Sequence, residues 1–232
     1  MTPVVFNSYL HDPNAFTQGL VMTGGKLYES TGLYGQSQLR EVDLTTGHIV
    51  RKVDLPTNYF GEGLTQFGHY LYQLTWQGHL GFIWDPITFR LIGTFPIYGE
   101  GWGLTTDGRH LIMSDGTHYL KYLNPETFQI EKRLAIYKSR NGCCESISKI
   151  NELQWIEGYI WANIFQSSII VIINPHSGEV INELDLSGLN HRHKRSESMA
   201  NGIAYDANKQ RIYVTGKYWD TIYEIGVKGG HH

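Results

Sequence analysis

Short apolar segments alternate with turns along the whole chain. Segments such as 71–76, 111–114 and 160–163 hold four to six residues, and each follows a turn that contains glycine. This length and these boundaries are typical of β-strands and the turns between them. No long amphipathic helical pattern interrupts the series. The hydrophobic pattern therefore predicts an all-β protein.

The strand pattern repeats at a regular interval. When each unit is aligned on one residue of its first strand, the spacings are 44, 40, 50 and 49 residues, with the anchors Leu20, Leu64, Leu104, Gln154 and Ile203. A period of 40–50 residues with four strands per unit is typical of a β-propeller. The repeats predict a five-bladed propeller, and they disfavour the alternative of a two-sheet sandwich whose strands only look periodic.

The fifth unit is short and ends soon after residues 222–225. The N-terminal stretch 4–9 is expected to supply its missing outer strand, which closes the ring and removes an exposed sheet edge. Residues 1–228 are thus predicted to be one domain. Residues 229–232, which end in His231 and His232, resemble the remains of a purification tag.

Composition and charge exclude several classes of protein. The chain is 41% hydrophobic, so it is not disordered, and it contains no run of 18 uncharged apolar residues that would span a membrane. A formal charge of −3 gives no electrostatic basis for nucleic-acid binding. The polar segment 188–198, with a basic cluster at 191–195, is interpreted as a solvated loop, with phosphate binding as the alternative.

The cysteines and the N-terminus bear on the compartment. Cys143 and Cys144 are adjacent, and free thiols are expected because a vicinal disulfide requires a strained ring. The chain begins at Met1 without a signal peptide. Because the C-terminal residues resemble a tag remnant, we expect that a signal peptide was removed from the sequence, and a periplasmic or secreted location is expected.

Two equivalent positions of the repeat converge on one mouth of the predicted channel. The first holds Gln18, Glu62, Trp102, Glu152 and Asn201, and the second holds Gly32, Trp76, Gly116, Phe165 and Lys217. Aromatic walls with a few convergent polar groups are typical of ligand pockets. Each residue also has a simpler interpretation, as blade packing, a surface charge or a buried hydrogen-bond acceptor.

Motifs in all five units resemble one family, the plant and bacterial glutaminyl cyclases, also called glutamine cyclotransferases. The matching segments are 12–20, 29–35, 61–65, 100–105, 151–153, 161–163 and 214–217 (DPNAFTQGL, ESTGLYG, GEGLT, EGWGLT, NEL, WAN and VTGK). The resemblance implies a five-bladed propeller that closes N-terminal glutaminyl residues to pyroglutamate and releases ammonia. Its implied partners are peptides or proteins with N-terminal glutamine. No nucleic-acid partner and no membrane partner are expected, and the protein is expected to be a monomer.

The resemblance also implies roles for individual residues. Glu62 is expected to shuttle the proton, and Lys217 is expected to hold Glu62 ionised. The implied catalytic set is Glu62, Lys217, Asn151 and Gln18, and the implied substrate-binding set is Phe16, Trp76, Trp102, Phe165 and Glu152. No cofactor and no catalytic metal are expected, and a structural cation in the channel is left open.

The chain departs from the family pattern at a few positions. Phe165 replaces a tryptophan, Gln154 replaces a glutamate, and the segment 139–148 lacks the usual pattern. None of these changes removes a proposed proton carrier, so activity is expected. Two other functions remain open from the residues alone: a non-catalytic propeller that binds peptides or proteins, and a propeller hydrolase, which would use a calcium cluster in its channel.

Overall fold

Five four-stranded antiparallel sheets build a propeller. The computed structural model describes residues 1–140, 142–189 and 197–227, and every regular element in these ranges is a strand. No helix in the described ranges is long and apolar enough to cross a membrane. The predicted tag remnant at 229–232 and the whole basic cluster at 191–195 lie outside the described residues.

Each blade runs from an inner to an outer strand. Blade 1 contains β2 (Thr17–Thr23), β3 (Lys26–Thr31), β4 (Gln38–Val42) and β5 (Ile49–Asp54). Blade 2 contains β6 (Gly61–Phe67), β7 (Tyr70–Thr75), β8 (Leu80–Trp84) and β9 (Leu91–Pro96). Blade 3 contains β10 (Leu104–Thr106), β11 (Leu111–Met113), β12 (Tyr119–Leu123) and β13 (Ile130–Ala135). Blade 4 contains β16 (Ile150–Ile156), β17 (Tyr159–Ile164), β18 (Ile169–Ile173) and β19 (Val180–Asp185).

Blade 5 joins the two ends of the chain. It contains β20 (Ala200–Asp206), β21 (Arg211–Gly216), β22 (Thr221–Val227) and, as its outer strand, the N-terminal β1 (Pro3–Leu10). β1 pairs with β22 in antiparallel register, with Val4 opposite Gly226 and Leu10 opposite Thr221. The prediction that the N-terminal stretch closes the ring is confirmed.

The hydrophobic core is divided among the gaps between blades. In the part of the chain that the structure describes, five clusters of buried apolar residues occur, one between each pair of neighbouring blades. The inner strands are buried on both faces, whereas β5, β9 and β13 at the outer edges are largely exposed. This pattern follows from the architecture, because an inner strand has a neighbouring blade on each side.

A two-stranded hairpin, β14 (Tyr137–Arg140) and β15 (Cys143–Ser146), lies between blades 3 and 4 in the chain. Tyr137 forms a bridge with Glu179, and the Lys138 Nζ atom lies 2.7 Å from the Glu183 carboxylate, so the hairpin is fixed beside blade 4. Both Cys143 and Cys144 are exposed and free, as the sequence predicted.

Strand register corrects the alignment of the fourth unit by one residue. Leu153 pairs with Ala162 as Leu64 pairs with Gln73, so Leu153 is the true anchor, not Gln154. The fourth unit lacks the glycine that marks this place in the other units, and the sequence alignment slipped there. Asn151 therefore takes the ring position of Glu62, and Glu152 takes a position that is glycine in the other four blades.

The glycines at this position allow the inner strands to approach closely. A Cβ atom on Gly19 would lie 2.5 Å from the Leu64 backbone nitrogen, and one on Gly103 would lie 2.0 Å from the Asn151 backbone oxygen. Contacts this short would force the backbone of the neighbouring inner strand to move. Close packing of the inner strands is thus fixed by glycine in blades 1 and 3.

Candidate active site

A pocket opens at the mouth of the channel where the inner strands begin. Its cavity is about 200 Å³, and its lining contains Phe16, Gln18, Phe60, Glu62, Trp76, Trp102, Asn151, Phe165 and Lys217. Six of these side chains come from the start of inner strands or just before them, and three come from the loops that follow second strands. The structure brings together eight of the nine site residues that the sequence indicated.

Glu152 is the ninth and does not line the pocket. Its side chain is fully buried, and its two oxygens accept hydrogen bonds from the backbone nitrogens of Leu20, at 3.3 Å, and Ile203, at 3.1 Å. Burial raises the pKa of this carboxyl well above its ordinary value, and the two backbone donors only partly offset that effect. The geometry assigns Glu152 to the connection of blade 4 with blades 1 and 5.

Phe60 is the lining residue that the sequence interpretation missed. It stands two residues before Glu62, as Phe16 stands two residues before Gln18. Both carbonyls accept a hydrogen bond from the loop after the second strand, Phe16 from Gly32 at 2.8 Å and Phe60 from Trp76 at 3.0 Å. This shared repeat position was the signal that could have identified Phe60.

The glycines in the loops after the second strands leave space for the aromatic side chains. A Cβ atom on Gly32 would lie 2.3 Å from the Phe60 ring, and one on Gly116 would lie 2.8 Å from the Trp102 ring. The second repeat position thus holds three pocket side chains and two glycines against which pocket rings pack.

A chain of amide hydrogen bonds leads to Glu62. Asn201 Nδ2 donates to Gln18 Oε1 at 2.9 Å, and Gln18 Nε2 donates to Glu62 Oε1 at 2.7 Å. Asn201 Nδ2 also donates to the Thr17 carbonyl at 2.9 Å. Asn201, at the predicted ring position, does not line the pocket, but it fixes the orientation of the Gln18 amide and through it one oxygen of Glu62.

Glu62 is a buried carboxyl with a high affinity for protons. Burial raises its pKa well above the ordinary value, Lys217 and the Gln18 amide lower it, and Glu100 raises it. The expectation that Lys217 holds Glu62 ionised is therefore corrected, because the desolvation of the carboxyl outweighs the attraction of the ammonium. Such a group exchanges protons at a higher pH than an exposed glutamate does.

Lys217 is buried as deeply as Glu62, with 2% of its surface exposed. Burial lowers its pKa to about 8, although Glu62 and Glu197 oppose that shift. Its ammonium lies over two rings, 4.5 Å from the Phe16 centroid and 5.2 Å from the Phe165 centroid. Cation–π contacts of this kind hold a charge in an apolar site without neutralising it.

Asn151 offers an acceptor that the protein itself leaves unused. Its side chain is 3% exposed, and its Oδ1 atom has no hydrogen-bond partner in the described structure. A buried acceptor without a partner costs about 1–3 kcal/mol, so Asn151 Oδ1 is available to accept a hydrogen bond from a donor that enters the pocket.

Five aromatic side chains form a collar around these polar groups; the name aromatic collar refers here to Phe16, Phe60, Trp76, Trp102 and Phe165. Neighbouring rings meet edge to face, with centroid distances of 5.8 Å for Phe16–Phe60, 5.7 Å for Phe60–Trp76 and 5.4 Å for Trp102–Phe165. Apolar rings at these positions exclude water from the centre and strengthen the electrostatic interactions there.

Comparisons with known proteins agree on one family. A family model described as glutamine cyclotransferase matches residues 1–227. A glutaminyl-peptide cyclotransferase of Arabidopsis thaliana is 40% identical over 231 residues, which cover 97% of this chain and 71% of the relative. The crystal structure of Myxococcus xanthus glutaminyl cyclase has a TM-score of 0.90 at 35% identity and covers 97% of this chain and 96% of that chain. The WD40 propeller domain of Doa1, at 11% identity and a TM-score of 0.54 over 90% of this chain and 63% of that chain, shares the fold.

Proposed function

Because the chain belongs to the glutamine cyclotransferase family, we propose that its pocket closes N-terminal glutaminyl residues of peptides to pyroglutamyl residues, with Glu62 as the proton carrier. The α-amine attacks the Cδ atom of its own side-chain amide, the bond from Cδ to the amide nitrogen breaks, and ammonia leaves. The observation that carries the proposal is the buried carboxyl of Glu62, set beside a cation and an unused acceptor inside an apolar collar.

Glu62 moves one proton from the attacking nitrogen to the leaving nitrogen. In its ionised form the carboxylate takes the proton that the amine loses as the new C–N bond forms. It then returns this proton to the amide nitrogen, since –NH₂⁻ is too basic to leave. The pKa of Glu62, raised by burial, suits both steps, because a carrier works best when its pKa lies near the working pH.

The other polar groups hold the substrate and its developing charge. Asn151 Oδ1 accepts an N–H of the substrate, and Lys217 stabilises the negative charge that grows on the amide oxygen in the transition state. Gln18 keeps one oxygen of Glu62 bonded, so the other faces the substrate. The aromatic collar folds the glutaminyl side chain back against its own amine, which supplies much of the rate through positioning.

Release of ammonia tests the function directly. We expect the protein to release ammonia from Gln-Gln and from Gln-β-naphthylamide, and not from peptides that begin with asparagine, whose ring would be one carbon smaller. Because side chains of the chain supply each group that the steps above require, we propose that a chelator such as EDTA leaves the rate unchanged. Peptide binding without ammonia release would contradict the proposal and would favour a binding propeller.

Lys217→Met removes the buried cation but keeps an unbranched apolar side chain. We expect kcat to fall by about 10²-fold, the usual loss when a group that stabilises an oxyanion is removed. The ammonium also lowers the pKa of Glu62, so its loss raises that pKa further and the acidic limb of the kcat/KM profile moves to higher pH. The measurement is ammonia release between pH 5 and pH 9.

Lys132→Met is the matched control. The Lys132 ammonium also lies over an aromatic ring, 4.8 Å from the Tyr122 centroid, but on the outer strand of blade 3 and outside the pocket. The control should retain the wild-type rate and pH profile. Equal activity of the two variants would remove Lys217 from the site.

A further inference from the structure

One carboxylate connects the two tryptophans of the aromatic collar. Glu100 Oε2 accepts hydrogen bonds from Trp76 Nε1 at 2.8 Å and from Trp102 Nε1 at 2.9 Å. Its other oxygen accepts from Gln77 Nε2 at 2.9 Å. Glu100 does not line the pocket, so its role in the site must be exerted through the rings that it holds.

The contacts around the pocket form a closed ring of side chains, in which Glu100 and Lys217 are the two members that are not aromatic. Ring-to-ring contacts run from Phe16 through Phe60 to Trp76 and separately from Trp102 to Phe165. Lys217 joins the two series at one end, because its ammonium lies over Phe16 and Phe165. At the other end, among the residues that the structure describes, Glu100 is the one side chain that accepts hydrogen bonds from both Trp76 and Trp102.

The backbone on which Glu100 lies is itself fixed. Lys121 Nζ donates to the Tyr98 carbonyl at 3.0 Å and lies 2.8 Å from the Asp115 carboxylate. The Gly101 nitrogen donates to the Trp76 carbonyl at 3.0 Å. Both ends of this short loop are therefore held, which places the carboxylate at a defined position between the two indoles.

We propose that Glu100 is a positioning residue, which closes the aromatic collar by holding both indole N–H groups and so fixes the wall against which the substrate glutamine folds. The proposal rests on the proposed function of the same pocket. It adds a residue that touches neither the substrate nor the reacting atoms but sets the orientation of two rings that do. Loss of the Glu100 carboxylate would remove the hydrogen bonds that hold both indoles.

The charge of Glu100 has a second effect on the site. Burial opposes its ionisation, but hydrogen bonds from Gln77, Trp102 and Trp76 outweigh this and keep the pKa of Glu100 below its ordinary value. The resulting negative charge raises the pKa of Glu62. Removal of the charge should thus lower the pKa of Glu62, which distinguishes an electrostatic change from a loss of the hydrogen bonds.

Three variants separate these effects. Glu100→Gln keeps an oxygen that can accept from both indoles but removes the charge; Glu100→Ala removes both. Glu126→Gln, on the exposed turn between β12 and β13, is the control for loss of a surface carboxylate. Steady-state kinetics from pH 5 to pH 9 and tryptophan emission spectra are recorded for each variant.

For Glu100→Ala we expect kcat/KM to fall by tenfold to about 100-fold, the range for a displaced positioning group, with a changed indole emission spectrum. For Glu100→Gln we expect tryptophan emission close to that of the wild type. Because positioning is retained, kcat/KM at pH 8 should fall by less than about threefold. The acidic limb of the kcat/KM profile should move to lower pH. Glu126→Gln should match the wild type throughout.

Wild-type emission and kinetics in Glu100→Ala would overturn the proposal, and so would equal losses in the Gln and Ala variants with an unmoved pH profile. If the alanine variant does not fold, Glu100→Gln decides: wild-type emission together with a loss of kcat/KM of about tenfold or more at pH 8 would overturn the proposal, because the indoles would be held and the activity still lost. If the wild type releases no ammonia, the proposed function fails, while the emission spectra still show whether Glu100 holds the two indoles.

Discussion

Glu62→Gln is expected to lower kcat by about 10²- to 10⁴-fold, which is the usual contribution of a positioned proton carrier. Glutamine has the shape of glutamate, and its oxygen can still accept the hydrogen bond that Gln18 now gives at 2.7 Å. The amide cannot take a proton from the substrate amine. We therefore expect KM to change little and the loss to appear in kcat, measured as ammonia release at pH 8.

The melting temperature of Glu62→Gln distinguishes a loss of catalysis from a loss of folding. The pKa of Glu62 is raised in the folded protein, so the unfolded chain releases this proton at a lower pH than the folded chain does. Ionisation of Glu62 thus reduces wild-type stability as the pH rises from the ordinary glutamate pKa through the raised one. The variant lacks this group and should melt at or above the wild-type temperature at pH 8.

Glu152→Gln makes the same chemical change in the neighbouring buried carboxyl. Glu152 accepts two backbone N–H groups and lies outside the pocket lining, so its amide variant leaves one N–H facing an NH₂ group. We expect a loss of about 1–3 kcal/mol in stability, and kcat of the folded protein within about threefold of the wild type. Wild-type kcat in Glu62→Gln, or a kcat loss shared equally by both variants, would contradict the assignment of Glu62.

The repeat pattern predicted the ring and most of the site because both depend on local sequence. Each unit carries its own turns and its own apolar strands, and the fifth unit visibly lacks one strand, so the closure by β1 followed. Gln18, Glu62 and Lys217 were found because equivalent repeat positions must meet at one mouth of the channel. Residues that recur at the repeat interval along the chain therefore lie close together in the structure.

Three features depended on strand pairing, packing and burial that the repeat pattern of the sequence does not reveal. The register of blade 4 is set by the pairing of Leu153 with Ala162. Because this unit lacks the glycine that marks the same position in the other four units, its sequence alignment was wrong by one residue. Phe60 enters the pocket because Gly32 of another blade leaves space for its ring. The pKa of Glu62 depends on its depth of burial, and the sequence showed only the charges that surround it.

Gly103→Ala is expected to cause the largest loss of stability among the variants considered. Its Cβ atom would lie 2.0 Å from the Asn151 oxygen and 2.8 Å from the Glu152 Cα atom, both parts of the backbone of the next blade. The Ser114 hydroxyl, which donates to the same Asn151 oxygen at 2.6 Å, further fixes this junction. Relief of the overlap would require blades 3 and 4 to separate.

Overpacking that a side-chain movement cannot relieve costs about 3 kcal/mol or more, at the upper end of the range for such changes. For a chain of this length that corresponds to a melting temperature lower by about 6–12 °C. Gly93→Ala is the matched control on the outer strand β9, where the nearest atom to the added Cβ is Ile83 Cδ1 at 4.0 Å. There we expect a small gain of about 0.4–1 kcal/mol, since alanine restricts the unfolded chain.

Thermal unfolding of the two variants measures this difference, and kinetics of the folded fraction extend it to the active site. Asn151 supplies both the backbone oxygen against which the new methyl group presses and the side-chain oxygen left unused in the pocket. A displaced Asn151 should therefore raise KM in Gly103→Ala below its melting temperature, while Gly93→Ala keeps the wild-type KM. Equal melting temperatures of the two variants would show that the inner strands do not depend on glycine for their close approach.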